Sequence, residues 1–178
     1  MSIYARRASA AAATSLLLGM LGQPAYWPSP GERPPSAAAL QDAGLGAIDP
    51  CKLLTRQQVE TVLPKNDGGT VAHAGGSLIA GVDAYQCSYM NDAANIFTVI
   101  VNVAVDDRRF AQIRPHFAAN EATRVAVGDG GWLRGEADDM KLTAVKGRSV
   151  LDLELLTPDA GTKSSALVTL ARAALAHL

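Results

Sequence analysis

The residues best suited to chemistry in this 178-residue chain are its two cysteines, Cys51 and Cys87. Cys51 lies in Asp49-Pro50-Cys51-Lys52-Leu53-Leu54-Thr55, and Cys87 in Tyr85-Gln86-Cys87-Ser88-Tyr89. A reactive thiol wants a neighbouring base or a Cys-x-x-Cys spacing to lower its pKa, and neither accompanies these two. Lipid attachment would need a cysteine directly after an apolar leader, whereas Cys51 follows Ala47-Ile48-Asp49-Pro50. In an oxidising compartment two cysteines normally pair, so a Cys51–Cys87 disulfide is expected. Closing a loop of about 37 residues in this way stabilises a fold by roughly 4 kcal/mol in the chain-entropy model.

Other candidate groups are weaker. His73, His116 and His177 are scattered, and none has an acidic neighbour at ligand spacing; zinc needs three or four ligands in a recognisable arrangement. His73-Ala74-Gly75-Gly76-Ser77 resembles an esterase oxyanion stretch, and with Asp83 it makes His73, Ser77 and Asp83 a hydrolase candidate. The nucleophile elbow Gly-x-Ser-x-Gly is missing, because Leu78 and Ile79 follow Ser77. Gly128-Asp129-Gly130-Gly131 departs from a dinucleotide fingerprint and reads as a turn that lets backbone approach closely before Trp132. Glu136, Asp138 and Asp139 form a short acidic loop, whereas calcium would demand more oxygen ligands in a defined loop. Tyr85, Tyr89 and Trp132 could line an apolar pocket, although aromatics on strands belong more often to a core. No cofactor is expected, and no catalytic constellation emerges.

These residues must be positioned by a domain of ordinary composition. The hydrophobic fraction is 48%, enough for a packed core, and charged residues are 19% with a formal net charge of −1. Such a balance offers no basic surface for nucleic acid. Arg6 and Arg7 followed by the apolar run Ala8 to Leu21 read as an export signal over residues 1–25. That run is shorter than the ~20 residues of a membrane-spanning helix, so membrane association is expected only if the leader stays uncleaved. Residues 26–47, with Pro28, Pro30, Pro34 and Pro35 among Ala, Ser and Gly, read as a disordered linker. A single domain is expected over 48–178.

Within it, Thr55 is an N-cap and Gln58 completes a capping box, with Leu54 and Val59 as a staple. Val59, Val62 and Leu63 form the apolar face of that helix, and Pro64 stops it. The glycine-punctuated stretch from Thr70 to Asp83 has room for short strands around Val71 and Leu78. Tyr85 to Tyr89 alternates as a half-buried strand, and Ile96 to Val105 is a β-branched strand. Joined by Asn91 to Asn95, the two read as an antiparallel hairpin. Phe97, Val99, Val101, Val103 and Val105 share one face, and the continuous apolar character suggests a central strand covered on both faces. Asp106 or Asp107 caps a second helix carrying Phe110, Ile113 and Phe117, shortened by Pro115. Thr123 to Val127 is a strand ended by the glycine turn. Met140 to Val145 and Ser149 to Leu156 form a hairpin around Lys146-Gly147-Arg148. Leu151, Leu153 and Leu155 point inward, and Asp152 and Glu154 point to water. Pro158-Asp159 opens a last helix to about His177, with Leu167, Leu170, Ala171, Ala174, Leu175 and Leu178 on one stripe. Hairpin-joined strands with helices between them predict an α+β fold, an antiparallel sheet flanked by helices with one disulfide.

Asp49-Pro50-Cys51-x-Leu53-Leu54-Thr55 at the first helix and the Cys87-Ser88-Tyr89 strand resemble the actinobacterial cell-envelope lipoprotein family, whose conserved domain has no assigned function. The likeness continues through the Val127-Gly128-Asp129 turn, the hairpin from Met140 to Leu156 and the alanine-rich final helix with Leu170-Ala171. It implies an exported domain, a disulfide at Cys51 and Cys87, and a helix-flanked antiparallel sheet of PsbP-like kind. It supplies no catalytic residues. Many such proteins carry a lipidated cysteine after the leader, a feature this sequence departs from. The leading expectation is a secreted or cell-envelope protein, a non-enzymatic binding or accessory module for a partner protein or an apolar or cell-wall ligand. An extracellular hydrolase or a sensor-like module is the alternative.

Overall fold

The computed structural model describes residues 48–76, 79–116 and 122–178, all within the compact unit Ala43–Leu178. The expected leader over 1–25 and linker over 26–47 lie outside the described residues, as do Ser77, Leu78 and Phe117.

The domain opens on a 3-10 turn, Pro50–Lys52, capped by the Asp49 carboxylate, which accepts from the Cys51 amide at 3.1 Å. Helix α1, Arg56–Glu60, follows with the expected capping box. The Thr55 amide donates to Gln58 Oε1 at 2.7 Å, and the Gln58 amide donates to Thr55 Oγ1 at 3.2 Å. These two bonds satisfy donors that a helix start otherwise leaves open. The helix is one turn shorter than Pro64 alone would enforce. Leu53, Leu54, Val59, Val62 and Leu63 are nevertheless all buried, because the Thr61–Pro64 turn keeps the last two on the inward side.

Seven strands form one antiparallel sheet in the order β1-β2-β3-β7-β6-β5-β4. They are β1 Thr70–Ala74, β2 Val82–Met90, β3 Ile96–Ala104, β4 Thr123–Val125, β5 Gly130–Gly135, β6 Asp139–Lys146 and β7 Ser149–Leu156. Strands β1–β3 make one meander and β4–β7 another. The two join where β3 pairs with β7, from Ile96 opposite Leu156 to Val103 opposite Ser149. Helix α2, Asp107–Ile113, lies in the connection between the meanders and is capped by Asp106, whose carboxylate accepts from the Arg109 amide at 2.7 Å. Helix α3, Ser164–Ala176, ends the chain and packs on β6 and β7.

One sheet face is the main core. Phe97, Val99 and Val101 on β3 stand opposite Leu155, Leu153 and Leu151 on β7, and these oppose Met140, Leu142 and Ala144 on β6. All nine are buried beneath α1 and the Leu167, Leu170, Ala171, Ala174 and Leu175 stripe of α3. The Cys51–Cys87 disulfide, Cα–Cα 5.2 Å, ties the opening 3-10 turn to β2 at the edge of this core. A small second cluster of Val82, Ala104 and Ile113, with Phe110 against it, sits on the opposite face under α2.

Several boundaries differ from expectation. Strand β3 stops at Ala104, and Val105 is exposed because it turns toward the Asp106 cap. Gly130 and Gly131 belong to strand β5; the turn itself is Val127-Gly128-Asp129. Gly128 has φ +58°, and a Cβ there would collide with the Val145 carbonyl oxygen. Close backbone approach is therefore real at that one position. Strand β6 runs on to Lys146, leaving a two-residue turn, Gly147-Arg148, with positive φ at Gly147 alone. The last helix opens as a 3-10 turn, Ala160–Lys163, before α3.

Candidate functional site

Register fixes which side chains meet on the sheet face opposite the main core. A single cross-strand row passes from Arg124 on β4 through Trp132, Thr143, Asp152, Ile100 and Gln86 to His73 on β1. The adjacent row contains Arg134, Lys141, Glu154 and Thr98. Strand alternation puts every one of these on the same side, away from the leucines.

The centre of this face is not wet. The Asp152 side chain is only 8% exposed, whereas that of Glu154 is 35% exposed. The expectation that both carboxylates point to water is thus corrected for Asp152. Thr143 from β6 and the long stem of Lys141 crowd over it, and Lys141 Nζ lies 3.6 Å from Asp152 Oδ1. The same ammonium donates to Glu154 Oε1 at 2.6 Å. The Thr143 hydroxyl donates to Asp152 Oδ1 at 2.5 Å. Burial pushes the Asp152 carboxyl above its ordinary pKa; the Lys141 charge and the Thr143 hydrogen bond pull it down, and nearby Glu154 adds to the rise. A carboxyl this deep is costly unless each lone pair has a partner. Both described contacts converge on Oδ1; no hydrogen bond to Oδ2 occurs among the described residues.

Asp152 forms part of the wall of a recess of about 120 Å³, shared with Trp132, Arg134, Thr143, Lys141 and His116. A broader, shallower depression of about 390 Å³ adjoins it, sharing Arg134 and Lys141 and continuing to Asp139, Glu154 and Leu156. Trp132 is held by its own strand: a Cβ on Gly130, two residues earlier on the same face, would lie 2.9 Å from the indole Cη2. The missing side chain leaves the ring room against the sheet. With a carboxyl, an ammonium, a guanidinium, a hydroxyl and an aromatic wall, the recess can bind a small polar group through both donors and acceptors.

The other candidates fall elsewhere. Tyr89 is buried and Tyr85 half-buried on the core face, opposite Phe97 and Val101, while Trp132 is on the other face. The three aromatics therefore do not line one pocket. Burial raises the pKa of both tyrosines, with Asp83 adding to the rise at Tyr85 and Asp49 and Asp67 at Tyr89. The Tyr89 hydroxyl donates to the Cys51 carbonyl at 3.3 Å, beside the disulfide. His73 Nε2 is 2.7 Å from the Gly76 carbonyl oxygen, a local contact at the sheet edge. Register directs His73 and Asp83 to opposite faces, and Ser77 lies outside the described residues. His116 borders the recess and His177 ends α3. No group of three or more His, Cys, Asp or Glu placed to hold a metal occurs among the described residues. Asp129 is structural: its carboxylate accepts from the Gly147 amide at 2.7 Å, clamping the β6–β7 turn.

Comparison with protein-family models, with curated proteins and with solved structures finds no match.

Lys141, Thr143, Asp152, Arg134 and His116 carry no motif, yet a signal for three of them exists in the sequence. Lys141-x-Thr143 and Asp152-x-Glu154 flank one hairpin. A two-residue turn at Gly147-Arg148 sets Thr143 against Asp152 and Lys141 against Glu154. A three-residue turn beginning at Lys146 slides the register and sends the partners to opposite faces.

Proposed function

We propose that this chain is an exported cell-envelope binding module rather than an enzyme, and that its ligand occupies the recess walled in part by Asp152. The observation that carries this reading is a nine-tenths buried carboxyl in a recess, anchored through one oxygen only. The other oxygen, Oδ2, takes no hydrogen bond among the described residues and is not sealed from outside, so it can receive a ligand donor. Lys141 lies between the two carboxylates, 2.6 Å from Glu154 and 3.6 Å from Asp152, and ties both into one polar cluster suited to holding a ligand.

Export is supported by the Arg6-Arg7 and Ala8 to Leu21 pattern and by the disulfide, which persists in oxidising compartments. No described helix is long and apolar enough to cross a membrane. The likeness to the actinobacterial lipoprotein family points to the same compartment.

Native mass spectrometry of the full chain, recovered from its own envelope fraction, tests the reading. A retained small molecule that is lost from Asp152→Asn is expected. An unliganded protein, or a ligand retained equally by that variant, would count against this site.

A further inference from the structure

Resting on that reading, we propose that the recess and its neighbouring depression bind a neutral pyranose glycan of at least two rings. The argument starts from complementarity. Asp152 Oδ2 offers an acceptor to a ligand hydroxyl, while Lys141 and Arg134 offer donors to a hydroxyl or ring oxygen. Across the recess and the depression the two cations, Lys141 and Arg134, face three carboxylates, Asp139, Asp152 and Glu154, with Lys141 paired to Glu154, so the walls hold no cluster of one sign for an ionic ligand. A polyol, which donates and accepts through the same groups, matches this set better than a phosphate or an amine.

Shape gives the same answer. Trp132, seated over Gly130, supplies an aromatic wall for the C–H face of a sugar ring. The first recess, about 120 Å³, is large enough to seat part of a single ring. The adjoining depression of about 390 Å³ begins at the shared Arg134 and Lys141, so a second ring can follow without leaving the charged rim. An apolar chain would have to cover the Lys141–Glu154 pair and leave Asp152 Oδ2 unsatisfied, which disfavours a lipid occupant.

The full chain contains two tryptophans, Trp27 and Trp132. In a Trp27→Phe background the indole emission reports on Trp132 alone. Titration with cellobiose, N,N′-diacetylchitobiose and maltotriose, with inorganic phosphate and a fatty acid as competitors of other class, is expected to give a saturable change with at least one sugar. Asp152→Asn should weaken that affinity about ten-fold or more, the range for a hydrogen bond to a charged group. Arg134→Ala, on the exposed rim where folding is not at stake, should weaken it several-fold. His73→Ala, at the far edge of the same sheet face, should leave it unchanged. No saturable response to any of the three sugars overturns the proposal, as does a response indifferent to both Asp152→Asn and Arg134→Ala, or saturation by phosphate or fatty acid instead. A retained non-saccharide ligand in native mass spectrometry would sink the glycan while leaving the binding reading standing. Shortened sugars accumulating in the titrated sample would uphold the glycan and overturn the non-enzymatic reading.

Discussion

Thr143 and Asp152 are direct cross-strand partners, and the threonine hydroxyl donates to the buried carboxyl at 2.5 Å. Thr143→Val keeps the β-branched shape and removes only that donor. It is expected to destabilise the domain by about 1–3 kcal/mol, since a buried acceptor loses a partner. Urea unfolding of the variant checks this; an unchanged midpoint would mean that the carboxyl is satisfied without Thr143.

The raised pKa of Asp152 makes stability depend on pH with a definite sign. The groups facing it are Lys141, Glu154, Thr143, Trp132, Arg134 and His116. Because the folded state holds the proton more tightly than the unfolded one, this carboxyl's contribution is fully present below the unfolded value near 3.8 and is lost as pH rises through the folded value. Asp152→Asn cannot ionise. Wild type should therefore lose stability relative to Asp152→Asn as pH rises from about 4 toward neutrality. Denaturant midpoints for both proteins across that interval decide the matter, and a gap that moves the other way would show that Lys141 outweighs burial.

Removing the disulfide by Cys51→Ser with Cys87→Ser should cost roughly 4 kcal/mol, the loop-closure value for a separation of 36 residues. Equilibrium unfolding of the double variant beside the oxidised protein measures it. Intact-mass analysis after alkylation should find no reactive thiol in the native protein until a reductant is added.

Two glycines with nearly the same φ should respond differently to alanine. At Gly128 (φ +58°) an added Cβ would run into the Val145 carbonyl oxygen, whereas at Gly147 (φ +56°) it would meet nothing within 4 Å. Gly147→Ala incurs the left-handed backbone term alone, about 1 kcal/mol. Gly128→Ala adds a backbone clash and should cost at least about 2 kcal/mol. Thermal unfolding of the pair separates strain from crowding; equal losses would mean that the Val145 strand yields freely.

Much of the fold was legible because its signals are local. The Thr55–Gln58 capping box, the β2–β3 hairpin and the leucine alternation of β7 are each written within a few residues. The candidate site was not, because it depends on register across the three strands β5, β6 and β7. Trp132, Thr143 and Asp152 have no shared motif; they meet only once the β5–β6 connection between Gly135 and Met140 and the Gly147-Arg148 turn are placed to the residue. A one-residue slip in either exchanges the faces. That is why Asp152 read as a solvated strand residue, and why Tyr85, Tyr89 and Trp132 read as companions although the sheet lies between them.

The division of the sheet into two meanders has a consequence for the order of events during folding. Strands β1–β3 pair with near neighbours in sequence, and both cysteines lie in or before them. The β3–β7 seam instead joins residues as far apart as Ile96 and Leu156. Contacts so distant carry a larger loop-closure entropy and form late. A chain that enters an oxidising compartment N-terminus first can therefore close its covalent staple before the second meander has arrived. The partner strand β7 then arrives at an edge that is already rigid, and with β7 comes Asp152, so the recess is among the last features to be assembled.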